Sequence, residues 1–164
     1  MRILAVDPGP TESAYALLDS ATRRPLVVAK LPNAQVAAVL EAGDFDLAVV
    51  EMVASYGMAV GAEVFETCVW IGRFVQIVAA ADGTYRLIKR PDVKMHHCHN
   101  RGAKDSNVRS ALVERFAYAQ PNFGKGTKKS PGFFYGFSAD VWQAYAVGVK
   151  AADDIEDCQL PLSA

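Results

Sequence analysis

Two short apolar runs, each closed by an acid, constrain this chain more than any other feature of its sequence. Ile3 to Val6 leads into Asp7-Pro8-Gly9-Pro10, and Asp46-Leu47-Ala48-Val49-Val50 leads into Glu51. A run of this kind, cut off by turn chemistry, reads as a buried strand. Thr11 to Leu18 and Pro25 to Leu31 lie between them as two further β-like runs around the polar stretch Asp19 to Arg24, the pattern of a meander of hairpins. Asn33 then stands where it can cap an amphipathic helix over Ala34 to Glu41, with Gly43 as its stop. A helical crossover places the second acidic run parallel to the first and beside it. Asp7 and Glu51 are therefore expected at one sheet edge.

The rest of the chain reads as one more strand and several helices. Val64, Cys68, Ile71, Val75 and Val78 recur at helical spacing over Ala62 to Ala81, and Gly83 terminates the pattern. Tyr85 to Ile88 is a last short strand. Pro91 opens a helical turn or two, Ser106 is placed to cap a helix through Arg109 to Phe116, and Gln120 to Gly136 reads as a surface loop. Ala139 to Ala152 closes as a helix with Asp140 in its first turn and Trp142, Tyr145, Ala146 and Val149 on apolar faces. At 164 residues, half of them apolar, the whole of 1–164 reads as a single domain able to bury a core without disulfides. Its class is α/β: a five-stranded mixed sheet, three antiparallel strands and then two parallel ones, flanked by helices.

Three cysteines without paired spacing, Cys68, Cys98 and Cys158, argue for a reducing compartment, and the N-terminal apolar run is too short for a signal peptide or a span. A cytoplasmic protein with no membrane partner is the expectation. The net charge of -1 hides a patch: Lys and Arg dominate Arg86 to Lys129, which permits a nucleic-acid partner.

Asp7, Glu51 and Asp140 form the constellation that a two-metal nuclease needs. Hard divalent cations, Mg2+ or Mn2+ in its place, take carboxylate oxygens, and two such ions about 4 Å apart activate the attacking water and stabilise the leaving oxygen of a phosphodiester. Taken singly, each acid has an ordinary role in a turn or a helix cap.

Order and spacing together go further, because the chain resembles the RuvC-type Holliday junction resolvases of the ribonuclease H-like superfamily. Ala5-Val6-Asp7-Pro8-Gly9-Pro10 is similar to their opening motif and Val49-Val50-Glu51 to their second acidic strand. The run from Ile71 to Ala80 resembles their long helix. Arg90-Pro91-Asp92-Val93-Lys94, with Ala103 to Val108, resembles their basic segment, and Ser138 to Ala144 their final helix; the basic loop and Trp142 are most like phage-type members. The resemblance implies a crossover junction endodeoxyribonuclease that acts as a homodimer on branched DNA, with Asp7, Glu51 and Asp140 as catalytic metal ligands. It also implies a second ligand one turn from Asp140. Here the sequence departs: Phe137 and Gln143 occupy the two natural offsets, and Asp153 and Asp154 lie roughly 20 Å further along a helix. Asp105 and Glu63 are possible substitutes.

Lys94, Arg101, Lys104 and Arg109, with Lys128 and Lys129 on the later loop, are candidate DNA contacts, and the family likeness singles out Lys104 as near the scissile phosphate. Tyr56 is a candidate for stacking on an unpaired base, whereas Phe74 reads as core. For Phe133, Phe134 and Tyr135 an apolar plug and base stacking remain alternatives. His96-His97-Cys98-His99 lacks the second ligand pair of a structural zinc site, leaving a phosphate contact or a place near the active site as its functional reading. A junction-binding protein with a weakened metal site is the competing function. An actin-like phosphotransferase is disfavoured by the short chain and the missing second Gly-rich loop.

Overall fold

Side-chain parity in the two central strands decides the architecture. In β1 (Arg2–Asp7) and β4 (Leu47–Met52), Ile3, Ala5, Leu47 and Val49 point into one apolar core, while Leu4, Val6, Ala48 and Val50 point into another. A strand buried on both faces needs a helical layer on each side. The computed structural model, which describes residues 1–54 and 61–159, supplies both layers.

β2 (Glu12–Asp19) pairs antiparallel with β1, and β3 (Pro25–Pro32) antiparallel with β2. β4 joins the other side of β1 in parallel, and β5 (Tyr85–Lys89) lies parallel beyond it, for a sheet order of β3-β2-β1-β4-β5. Three antiparallel strands followed by two parallel ones is the expected sheet.

On one face, α1 (Asn33–Ala42) buries Val36 and Leu40, and α2 (Ala62–Ala80) buries Thr67, Ile71, Phe74 and Val78. The other face carries α3 (Arg90–Cys98), α4 (Asp105–Ala117) and α5 (Ala139–Gln159), which packs on β1 and β2. Gly148 explains how closely α5 sits. A Cβ there would stand 2.5 Å from Leu18 Cδ2 and 3.0 Å from the Ala5 methyl.

Local expectations needed correction in five places. Asn33 is not an N-cap: its buried amide donates to the Gly9 carbonyl at 2.9 Å and accepts from Ser13 Oγ at 2.6 Å, pinning the turn after Asp7. Ser106 is not a cap either, since α4 starts at Asp105 and the Asn107 side chain accepts from the Lys104 N–H at 2.9 Å. The region from Gln120 to Gly136 is more than a surface loop, because Phe134 is fully buried against Trp142 and Tyr145 and Phe133 stacks on Phe116. For Phe133 and Phe134 the apolar plug is therefore the observed arrangement; Tyr135 is exposed. Lastly, α3 runs nine residues and α5 continues to Gln159. No described helix is long and apolar enough to cross a membrane, and Cys68, Cys98 and Cys158 are free thiols.

Candidate active site

The parallel register Ile3↔Leu47 to Val6↔Val50 brings the next residues, Asp7 and Glu51, side by side at the sheet edge. Both share the parity of Ala5 and Val49, so they face the layer of α3, α4 and α5. Glu63 stands in the exposed first turn of α2, which packs on the opposite face. The turn that follows Asp7 admits only glycine at position 9, where a Cβ would lie 2.3 Å from the Glu12 carbonyl oxygen.

Glu51 is 6% exposed and Asp7 is largely buried, so both carboxyls are costly to ionise. Burial, together with the charges of Glu51, Asp140 and Asp105, pushes the Asp7 carboxyl up to about 8 against the opposing pull of Arg90. Burial likewise raises Glu51, again opposed by Arg90. Such crowding of acids has one natural remedy, a cation.

Arg90, the first residue of α3, supplies it from within the chain. Its Nη1 donates to Glu51 Oε1 at 3.0 Å and lies 3.9 Å from Asp7 Oδ1, while Nη2 donates to Asp105 Oδ2 at 2.9 Å. These carboxylates outweigh the burial that opposes the charge, and the guanidinium is held more firmly protonated than usual. Asp140, at the start of α5, pairs with Lys30 Nζ of β3 at 2.7 Å, and Lys30 also lies 3.6 Å from Glu12. Asp7, Arg90, Lys30 and Asp140, with the Pro8 to Glu12 turn, line an open cleft of about 420 Å³.

The donor set fits hard divalent cations in kind, since carboxylate oxygens surround the positive group of Arg90. As the side chains stand, no group of three His, Cys, Asp or Glu among the described residues is placed to hold a metal ion. Glu51 and Asp140 each turn to a nearby base instead. Phe137 is 4% exposed within a cluster of Phe134, Trp142 and Tyr145, so it is a core residue and offers no ligand.

The candidate DNA contacts are dispersed. Lys104 is exposed at the start of α4, next to Asp105, and Arg101 is exposed just before it. Lys94 lies 3.6 Å from Asp105, turned to the site rim. Arg109 sits over the ring of exposed Phe123 at 4.8 Å, and Lys128 and Lys129 are exposed between the bridged Gly126 and Pro131. Tyr56 lies outside the described residues. In the sequence Arg90 is one of several basic residues, and Lys30 carries no signal of a role. A base in the first residue after the strand beside the Glu51 strand was the available signal for Arg90.

The His-rich segment faces elsewhere. His96 donates to Asp153 Oδ2 at 2.8 Å, and His97 Nε2 donates to the Ala146 carbonyl at 2.9 Å, both on α5 beyond the site. Burial holds the His97 imidazole down to about 4. The unfolded chain takes up this proton near 6.5, the folded chain only near 4, so acidification through that window removes stability, at most about 3 kcal/mol. Raised Asp7 acts in the opposite direction, so the comparison must be with a variant. His97→Gln, which keeps a donor for Ala146, is expected to flatten the fall in melting temperature between pH 6.5 and 4; an unchanged profile would place the proton uptake elsewhere.

A mixed sheet of this order, with two acids at the ends of its adjacent parallel strands and a third on the last helix, is a ribonuclease H-like fold. Within that class it is the fold of the RuvC-type resolvases. Thermus thermophilus RuvC superposes with a TM-score of 0.67 at 15% identity, covering 96% of this chain and 97% of that one. The structure of T. thermophilus RuvC in complex with Holliday junction substrate gives 0.69 at 14%, covering 96% of each. The fowlpox virus resolvase in complex with substrate Holliday junction DNA gives 0.62 at 13%, covering 94% and 99%. No protein-family model matches the chain, and no curated protein sequence does.

Proposed function

We propose that this protein is a divalent-metal-dependent endonuclease that cuts branched DNA. The observation that carries the reading is the pair Asp7 and Glu51, set side by side at the ends of parallel strands, where burial first and the neighbouring acids second push Asp7 up to about 8. A purely structural role gives no reason to bury two adjacent acids at a cleft. Near-full-length likeness to two resolvases solved with Holliday junction DNA supports DNA as the substrate.

Asp7, Glu51 and Asp140 would hold Mg2+ or Mn2+, which when bound supplies activation of the attacking water and charge stabilisation at the scissile phosphate. The chain's own residues do the rest. Ser13 and Asn33 fix the turn behind Asp7, so that its carboxylate is held in one place. Lys104, Arg101, Lys128 and Lys129 present exposed charge to the phosphate backbone. Exposed Phe65 and Val69 on α2, beside the groove lined by Ala37, Trp70 and Ile77, support a homodimer, and two nicks in a four-way junction call for two such sites. A cytoplasmic location is consistent with this function.

Phe137 in the core and Arg90 on Glu51 favour a second reading, a protein that binds junctions without cutting them. Binding in a chelator tests the branched-DNA part common to both: a four-way junction should bind more tightly than a linear duplex of equal length. Equal affinities would remove branch recognition from the account. In the same assay, Lys94→Ala with Lys104→Ala is expected to weaken binding and to lower the salt slope by about one per lost phosphate contact. An unchanged slope would return both lysines to the solvated surface.

A further inference from the structure

Arg90 binds three carboxylates of different origin: Asp7 at the end of β1, Glu51 in β4 and Asp105 at the first residue of α4. A guanidinium is planar and its donors are fixed, so acids gathered on its neighbouring nitrogens converge on one small volume. That volume lies against Glu51 and Asp7 and does not include Asp140, which is turned to Lys30. The group in it is a cation, and it stands among oxygens of the kind a divalent ion takes.

The α5 helix cannot complete a fourth carboxylate. Phe137 is packed among aromatic rings, and Gln143, three residues beyond Asp140, is neutral and 8% exposed. Two divalent ions carry four positive charges, whereas Asp7, Glu51 and Asp140 carry three negative ones. Asp105 is the further carboxylate joined to Glu51 and Asp7 through one guanidinium. Its side chain is half exposed, so it can turn, and it already shares its counter-ion with Glu51.

We infer that Asp105 is the fourth metal-binding carboxylate of this site, contributed by α4 in place of the final helix, and that Arg90 occupies the Glu51–Asp105 position until a divalent ion displaces it. The inference rests on the metal-dependent reading above. It makes Arg90 a competitor for the ion: metal-free, the guanidinium relieves the repulsion between the acids, and metal-loaded, it is released toward the cleft it already lines. Asp105 would otherwise be only a tether for Arg90, and the two roles predict opposite effects. A tether that lets go frees the competitor less reluctantly and tightens metal binding; a ligand that is lost weakens it.

The test is Mn2+ binding to the full-length protein without DNA, read from the electron paramagnetic resonance signal of free Mn2+ during titration. Asp105→Asn keeps an oxygen that can accept from Arg90 but loses the charge, and it is expected to weaken the second Mn2+ by about tenfold or more. Arg90→Gln is expected to tighten the same ion by a similar factor. Mn2+ bound by Asp105→Asn as tightly as by the native chain, or more tightly, overturns the assignment and leaves Asp105 as a tether. Asp7→Asn serves as the control and should weaken both ions. If Asp7→Asn has no effect either, the metal-dependent reading itself has failed, a result distinct from failure of Asp105 alone.

Discussion

Asp7→Asn should abolish cleavage while leaving the fold and junction binding intact. Asparagine keeps the volume of aspartate and one acceptor oxygen, but it removes the charge that a divalent ion needs from a residue that feels the charges of both Glu51 and Asp140. Loss of several kcal/mol of transition-state stabilisation corresponds to a fall of about a thousandfold or more, at a tenfold change for each 1.4 kcal/mol. The metal-free variant should melt no lower than the native protein. Asp7 is buried among acids, and its raised carboxyl already favours the neutral form that asparagine imitates. A nuclease rate within tenfold of the native one would remove Asp7 from the site. A large drop in melting temperature would instead make it a structural residue.

Asp153→Ala is expected to cost about 3–5 kcal/mol of stability, because it leaves two arginines and a histidine without their shared partner. Arg23 donates to Asp153 through Nε and Nη2 at 3.0 and 2.8 Å, Arg115 through Nη1 and Nη2 at 2.6 and 2.9 Å, and His96 at 2.8 Å. Burial opposes the charge, yet these hydrogen bonds hold the carboxyl far below its ordinary range. Arg23 is 6% exposed and its carbonyl accepts from Tyr145 Oη at 2.7 Å, so the cluster ties the β2–β3 connection to α4 and α5. For a chain of this size the loss corresponds to a melting temperature lower by roughly 10 °C. Sign and window follow from the lowered carboxyl: its contribution is present above the unfolded value near 3.9 and is lost as the pH falls below it. Thermal denaturation at pH 7 measures the effect. A loss under about 1 kcal/mol would mean that the remaining Glu156 contact, or water, satisfies the two arginines.

The sheet was legible because its signals are local and strong. Runs such as Leu4 to Val6 and Ala48 to Val50 leave no doubt about a buried strand, and the helix between them fixes a parallel pair. From that pair, the meeting of Asp7 and Glu51 follows by counting residues. What escaped was decided by tertiary partners. Asn33 has the chemistry of a cap, but the buried Ser13 hydroxyl and Gly9 carbonyl claim its amide. Ser106 has cap chemistry too, yet the helix begins one residue earlier at Asp105. Arg90 follows the strand beside Glu51 directly, but Asp105 lies fifteen residues further on, and nothing in its neighbours announces that the Arg90 guanidinium joins it to Glu51. The histidines looked functional as a string, whereas in the fold His96 and His97 answer separate polar groups on α5. Aromatic residues of the 120–137 segment were ambiguous because the plug and the stacking platform use the same side chains. Only packing, with Phe134 enclosed by Phe137, Trp142 and Tyr145, separates them.

Metal-dependent cutting at a branch can be measured directly. A synthetic four-way junction and a linear duplex of the same sequences are incubated with the native chain, with Mg2+ and with a chelator. Nicks are expected in the junction near its branch point, dependent on Mg2+, with the linear duplex left intact. Cleavage that persists in the chelator, or a junction bound but left uncut at any concentration of Mg2+ or Mn2+, would contradict metal-dependent cutting.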